Sequence, residues 1–100
     1  PHVVRFNAAD ESIADGYAAL VKDTVVASSN GTLSAEALAQ AMEALLDSAQ
    51  LPRDLTAFGV DANLLDVLSK EAAQQWTASF NPRDITAADF TGLYQKAFAS

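Results

Sequence analysis

Cysteine is absent from the 100 residues, which excludes a disulfide framework and any thiolate metal site. That absence is compatible with a reducing compartment, and the cytoplasm is the expected location. Histidine occurs once, as His2. A single imidazole with no second histidine and no carboxylate at ligand spacing does not make a metal site. Basic residues are also scarce, six Lys and Arg against 13 Asp and Glu for a net charge of −7. The chain therefore lacks the positive field that neutralises phosphates, and nucleic acid is not an expected partner. No apolar run approaches the roughly 20 residues that span a bilayer, and the start has neither a basic segment nor a signal-like core. No membrane partner is expected. Glycines are few and scattered: Gly31 and Gly59 stand alone, so no glycine-rich phosphate loop is available.

What remains is rich in alanine. Hydrophobic residues make up 50% of the chain, and the alanine among them favours close-packed helices over thick sheet layers. The length suits a single domain burying about two-thirds of its unfolded surface. Acidity is greater in the first half, where residues 1–50 carry a net −5, than in the second, at −2. A solvated acidic surface accounts for it.

Pro1 to Phe6 is apolar enough for a strand and equally suits the last turns of a helix; it reads as a cut end, with Val3, Val4 and Phe6 left exposed, and Asn7 breaks the pattern. From Ala9, the acidic cluster Asp10, Glu11 and Asp15 marks a helix start. Ile13, Tyr17, Leu20, Val21 and Val25 follow at helical spacing. Ser28-Ser29-Asn30-Gly31 should close that helix in a left-handed turn. Ser34 then caps a helix whose apolar face is Leu38, Ala41, Met42, Leu45, Leu46 and Ala49, ending before Leu51-Pro52. Arg53 to Gly59 is a connecting turn with Leu55 and Phe58 plugging the core. Asp61 is a further N-cap, and Leu64, Leu65, Val67, Leu68, Ala72 and Trp76 fit one long helix or two abutting short ones. Nothing helical can pass Phe80, because Asn81 precedes Pro82. Thr86 to Asp89 has capping-box spacing, with Asp in place of Glu, ahead of the stripe Phe90, Leu93, Tyr94 and Phe98. The expectation is an all-α bundle of four to five helices.

No residues assemble into a chemical site by spacing alone. Ser and Thr lack a base placed by any motif, and the carboxylates are accounted for by capping and solubility. Trp76, Phe80, Phe90, Tyr94 and Phe98 fall at helical spacing and are expected in the core. Arg83 follows the proline turn and can present its guanidinium to a carboxylate, a helix end or a substrate anion, a structural salt link being the favoured role.

Two runs nevertheless resemble a known family. Pro1-His2-Val3-Val4-Arg5-Phe6-Asn7 is similar to the segment that follows the metal-binding histidine motif in iron-dependent (group III) alcohol dehydrogenases and maleylacetate reductases. Phe80-Asn81-Pro82-Arg83, with the capped helix through Leu93-Tyr94, resembles their late Asn-Pro-Arg turn and terminal helix. The run from Leu51 to Gly59, and the helix through Glu71-Ala72-Ala73, is similar as well, so the likeness covers essentially the whole chain.

The resemblance implies part of an all-α, dehydroquinate synthase-like C-terminal domain. The parent would be a two-domain oxidoreductase interconverting alcohols with aldehydes or ketones, using NAD(P) and a divalent metal, iron or zinc. In that family one Asp and three His, all N-terminal to the matched segment, hold the metal, and the pyrophosphate loop lies in the other domain. This chain would then bind no cofactor alone, contain no catalytic or metal-ligating residue and be inert in isolation. Its partners would be the missing N-terminal portion and other copies of itself. Thr77, Ala78, Ser79 and Phe80 resemble a segment approaching the substrate pocket, and are expected as pocket wall. The rival expectation is an independent acidic helical module for protein interaction.

Overall fold

Local capping decides where each helix begins. In the computed structural model, which describes residues 1–24 and 30–99, the order is α1 (His2–Ala8), α2 (Glu11–Leu20), α3 (Gly31–Ser48), α4 (Leu65–Gln74) and α5 (Ala87–Ala99), with three short 3-10 turns in the second half. Among the described residues there is no strand, so the all-α expectation holds and the choice at Pro1–Phe6 falls to helix. The chain forms two compact units, Pro1–Leu51 and Pro52–Ser100.

In the first unit α1, α2 and α3 pack on one another. Ala8, Ala14 and Ala35 form the buried cluster, with Val4 and Tyr17 packed against it. Asn7 does not break α1. Its side chain is buried and its Nδ2 donates to the Tyr17 hydroxyl at 3.2 Å, so the amide is satisfied without leaving the helix. Asp10 caps α2, accepting from the backbone N–H of Ser12 at 3.0 Å and Ile13 at 3.4 Å.

Asn30, not Ser34, caps α3: its side chain accepts from the N–H groups of Thr32 at 2.9 Å and Leu33 at 3.1 Å. Asn30 is therefore extended (φ −104°), opening a helix rather than closing one in a left-handed turn, and Ser34 is a buried residue one turn inside. Val25 and Ser28-Ser29 of the sequence reading lie outside the described residues. Gly31 has a packing reason: a Cβ there would fall 2.7 Å from Asp15 Oδ1 and 3.1 Å from the Ala14 backbone. At its other end α3 closes ahead of Leu51-Pro52, with Gln50 left-handed (φ 57°). The Gln50 N–H donates to Asp47 O at 3.0 Å and the Leu51 N–H to Leu46 O at 2.9 Å, which is a Schellman closure with glutamine where glycine is usual.

The second unit is a succession of caps and short turns. Asp54 caps the 3-10 turn Leu55–Phe58, which Gly59 closes at φ 73°. Asp61 caps the turn Ala62–Leu64 leading into α4, as its sequence position implies. Leu55 is half-buried but Phe58 is exposed, so Phe58 does not plug the core. α4 stops at an extended Gln75 (φ −68°, ψ 126°), and Trp76–Phe80 follows as a 3-10 helix, so of the two readings of this run one long helix is excluded and abutting short elements are found. Asn81 is extended ahead of Pro82 as proline demands. The capping box forms: the Thr86 N–H donates to Asp89 Oδ2 at 2.9 Å and the Asp89 N–H to Thr86 Oγ1 at 3.3 Å. α4 packs on α5, and Ser69, buried in α4, donates its hydroxyl to Leu65 O at 2.7 Å.

Candidate functional site

Among the described residues, each unit has a concavity bordered by charged side chains. In the first, Arg5 on α1 reaches α3. Its Nε donates to Glu36 Oε2 at 2.9 Å, Nη2 donates to Glu36 Oε1 at 2.9 Å, and Nη1 donates to Glu43 Oε1. Glu36 and Glu43 lie seven residues apart and so share a face of α3, which lets one guanidinium serve both. The hydrogen bonds from Arg5 hold the Glu36 carboxyl below its ordinary value, and those to Glu36, then Glu43, raise the Arg5 guanidinium. The adjoining hollow, about 180 Å³, is lined by Arg5, Ala8, Thr32 and Glu36. With both of its carboxylate partners in place, Arg5 is a clamp between helices and not a free anion receptor. Its role was not legible in advance, because the partners are 31 and 38 residues away.

In the second unit the break between α4 and the following turn opens a cleft of about 550 Å³. Ala78 and Ser79 line it; Thr77 and Phe80 are exposed beside it. Trp76, Arg83, Asp84 and Ile85 also contribute. Trp76 and Phe80, expected in the core, are 73% and 70% exposed. The end of α4 at Gln74 shifts their helical phase, and the two rings instead meet edge to face, centroids 5.3 Å apart and planes at 84°. Side-chain hydrogen bonds within the segment help fix the cleft: Ser79 Oγ donates to Trp76 O and Asn81 Nδ2 to Arg83 O, both at 2.7 Å. Arg83 lies near enough to Asp89 to favour its ionised form, although the leading causes of that lowered carboxyl are the backbone and hydroxyl hydrogen bonds of Thr86. Arg83 and Asp84 carry no spacing signal; only the fold brings them to the end of α4.

The profile of the Fe-containing alcohol dehydrogenase family, C-terminal, matches residues 1–98. The chain belongs to this family. It is the C-terminal helical part of an iron-containing alcohol dehydrogenase. No curated protein and no solved structure gives a significant match. For an iron-containing alcohol dehydrogenase, the donor set present here does not fit a metal. Histidine occurs once and cysteine not at all, and among the described residues no group of three His, Cys, Asp or Glu side chains is placed to hold an ion. His2 is half-buried on α1. Among the described residues no helix is long and apolar enough to cross a membrane.

Proposed function

We propose that this chain is the structural, pocket-closing C-terminal portion of an NAD(P)-linked, metal-dependent alcohol dehydrogenase that interconverts alcohols with aldehydes or ketones in the cytoplasm. The supporting observation is the family match across residues 1–98 of a chain whose single histidine cannot supply the donors an iron centre needs. Metal and nucleotide chemistry are therefore assigned to an N-terminal portion, the expected partner, with neighbouring copies of the enzyme as the second.

Within this division the present residues provide rigid packing and one wall. Ala78 and Ser79 line the cleft of the second unit, with Thr77 and Phe80 at its edge, and all four are proposed as substrate-pocket wall. They offer two hydroxyls, of Thr77 and of Ser79, the latter engaged with Trp76 O, and no group that titrates near neutrality, which suits shaping a pocket and not transferring protons.

The test is reconstitution. The purified 100-residue chain is expected to bind no stoichiometric iron or zinc by elemental analysis and to produce no NAD(P)H from an alcohol. Adding the N-terminal portion should restore both. Metal binding and turnover by the chain alone would overturn the division of labour.

A further inference from the structure

Not every group in the cleft of the second unit is engaged. Among the described residues, the carboxylate of Asp84 has neither a hydrogen bond nor an ion pair, and the same holds for the side-chain amides of Gln74 and Gln75, all of which line the cleft. Beside them the Trp76 indole is 73% exposed, with Phe80 packed against it edge to face. The cleft also lies at the C-terminus of α4, a ten-residue helix whose last carbonyls carry partial negative charge. That last turn contains no basic residue to answer it. An unpaired carboxylate, a helix carbonyl end and an exposed indole all favour the same kind of ligand, a positive charge carried on an apolar body.

We infer that this cleft binds a small organic cation of the alkylammonium class, with its methyl or methylene groups against Trp76 and its charge facing Asp84. The volume of about 550 Å³ is that of a small-molecule pocket. Arg83 lines the same cleft and opposes a cation, but Asp89 is close enough to offset its charge. An inorganic cation is the poorer occupant. A hard divalent cation favours several anionic oxygens, whereas the cleft supplies a single carboxylate beside neutral amides, and an indole face rewards an organic cation that sheds its water readily. The inference does not depend on the proposed pocket-wall role, because it concerns what the cleft binds and not what the parent enzyme turns over.

Trp76 is the sole tryptophan and so reports directly on its own cleft. The experiment titrates the 100-residue chain with choline at constant ionic strength, following Trp76 emission, and repeats the titration with 3,3-dimethyl-1-butanol, its uncharged isostere. Choline is expected to produce a saturable change with a dissociation constant on the order of millimolar, and the isostere to bind roughly tenfold more weakly or not at all. Asp84→Asn should weaken choline binding about three- to tenfold. Glu11→Gln, the same change of charge in the other unit, should leave it unchanged. Asp84 is exposed, so D84N is expected to fold, and the far-UV circular dichroism of the variant checks this. No saturable response to choline, equal responses to choline and the isostere, or binding undiminished in D84N would each overturn the inference.

Discussion

The two units solve burial differently. Apart from Val21, every described residue of the first unit that is buried is an alanine or a polar group with a partner: Ala8, Ala14, Ala35 and Ala39, with Asn7 and Ser34. In the second unit only Ser69 is buried among the described residues; large apolar side chains stay exposed in both units, Leu20 and Leu45 in the first and Trp76 and Phe80 in the second, so the difference lies in what is enclosed. The first unit is thus held by close helix approach and a clamp across α1 and α3. The second relies on local hydrogen bonds: three aspartates at turn or helix starts, a left-handed glycine and one proline stop. Close packing makes a structure intolerant of added volume, whereas local capping makes it sensitive to the loss of single hydrogen bonds.

Adding volume should break this comparison most visibly. Ala35→Leu places three extra carbons at a 1% exposed position and is expected to cost about 1–3 kcal/mol in urea unfolding. Trp76→Ala, which removes the largest side chain of the second unit, should change stability by less than about 0.5 kcal/mol. If the two variants lost equal stability, the contrast in packing would be wrong. Cutting the clamp comes next. Arg5→Ala leaves Glu36 and Glu43 on one face without their cation, and is expected to cost about 1–2 kcal/mol, discounted because Glu36 is well exposed to solvent. Arg5→Lys should recover only part of that, since an ammonium cannot form the two-pronged contact.

Acid probes both units together. Glu36 and Asp89 have folded-state values below the ordinary ones, so each binds its proton more readily in the unfolded chain. Their contributions are complete above the ordinary carboxylate range and are lost as pH falls through the lowered values. A melting temperature that is level near neutrality should therefore decline below about pH 4. Arg5 is raised, so its contribution persists at every pH below the ordinary arginine value and should give no alkaline loss near pH 9. The smallest effect concerns Gln50, left-handed at the end of α3. Gln50→Gly removes a steric penalty and should stabilise the chain by roughly 0.5–1 kcal/mol, read as a higher urea midpoint.

Much of this was legible in the residues, and the reasons for the rest are specific. Asp61, Thr86 with Asp89, and Asn81 before Pro82 each carry their physics within four positions, so sequence reading places them correctly. Ser34 misleads because two good cap residues stand four apart, and only the structure shows that Asn30 accepts the first helical N–H groups while Ser34 is buried a turn further in. Trp76 and Phe80 mislead because periodicity assumes a continuous helix, and the extended Gln75 interrupts the phase. Asn7 reads as a breaker until Tyr17, ten residues on, satisfies it. Of the candidate site, Ala78 and Ser79 were reached through family likeness. Asp84 had no local pattern to announce it, since its significance lies in what the fold leaves unpaired.

The contact at Gly31 also bears on how such chains can diverge. The atom a new Cβ would meet first is the tip of a flexible side chain, Asp15 Oδ1, which can swing aside, while the Ala14 backbone behind it can yield only slightly. Positions 15 and 31 should therefore change together across lineages: wherever alanine or serine replaces glycine at 31, a shorter residue should be inherited at 15, and larger replacements at 31 should be rare.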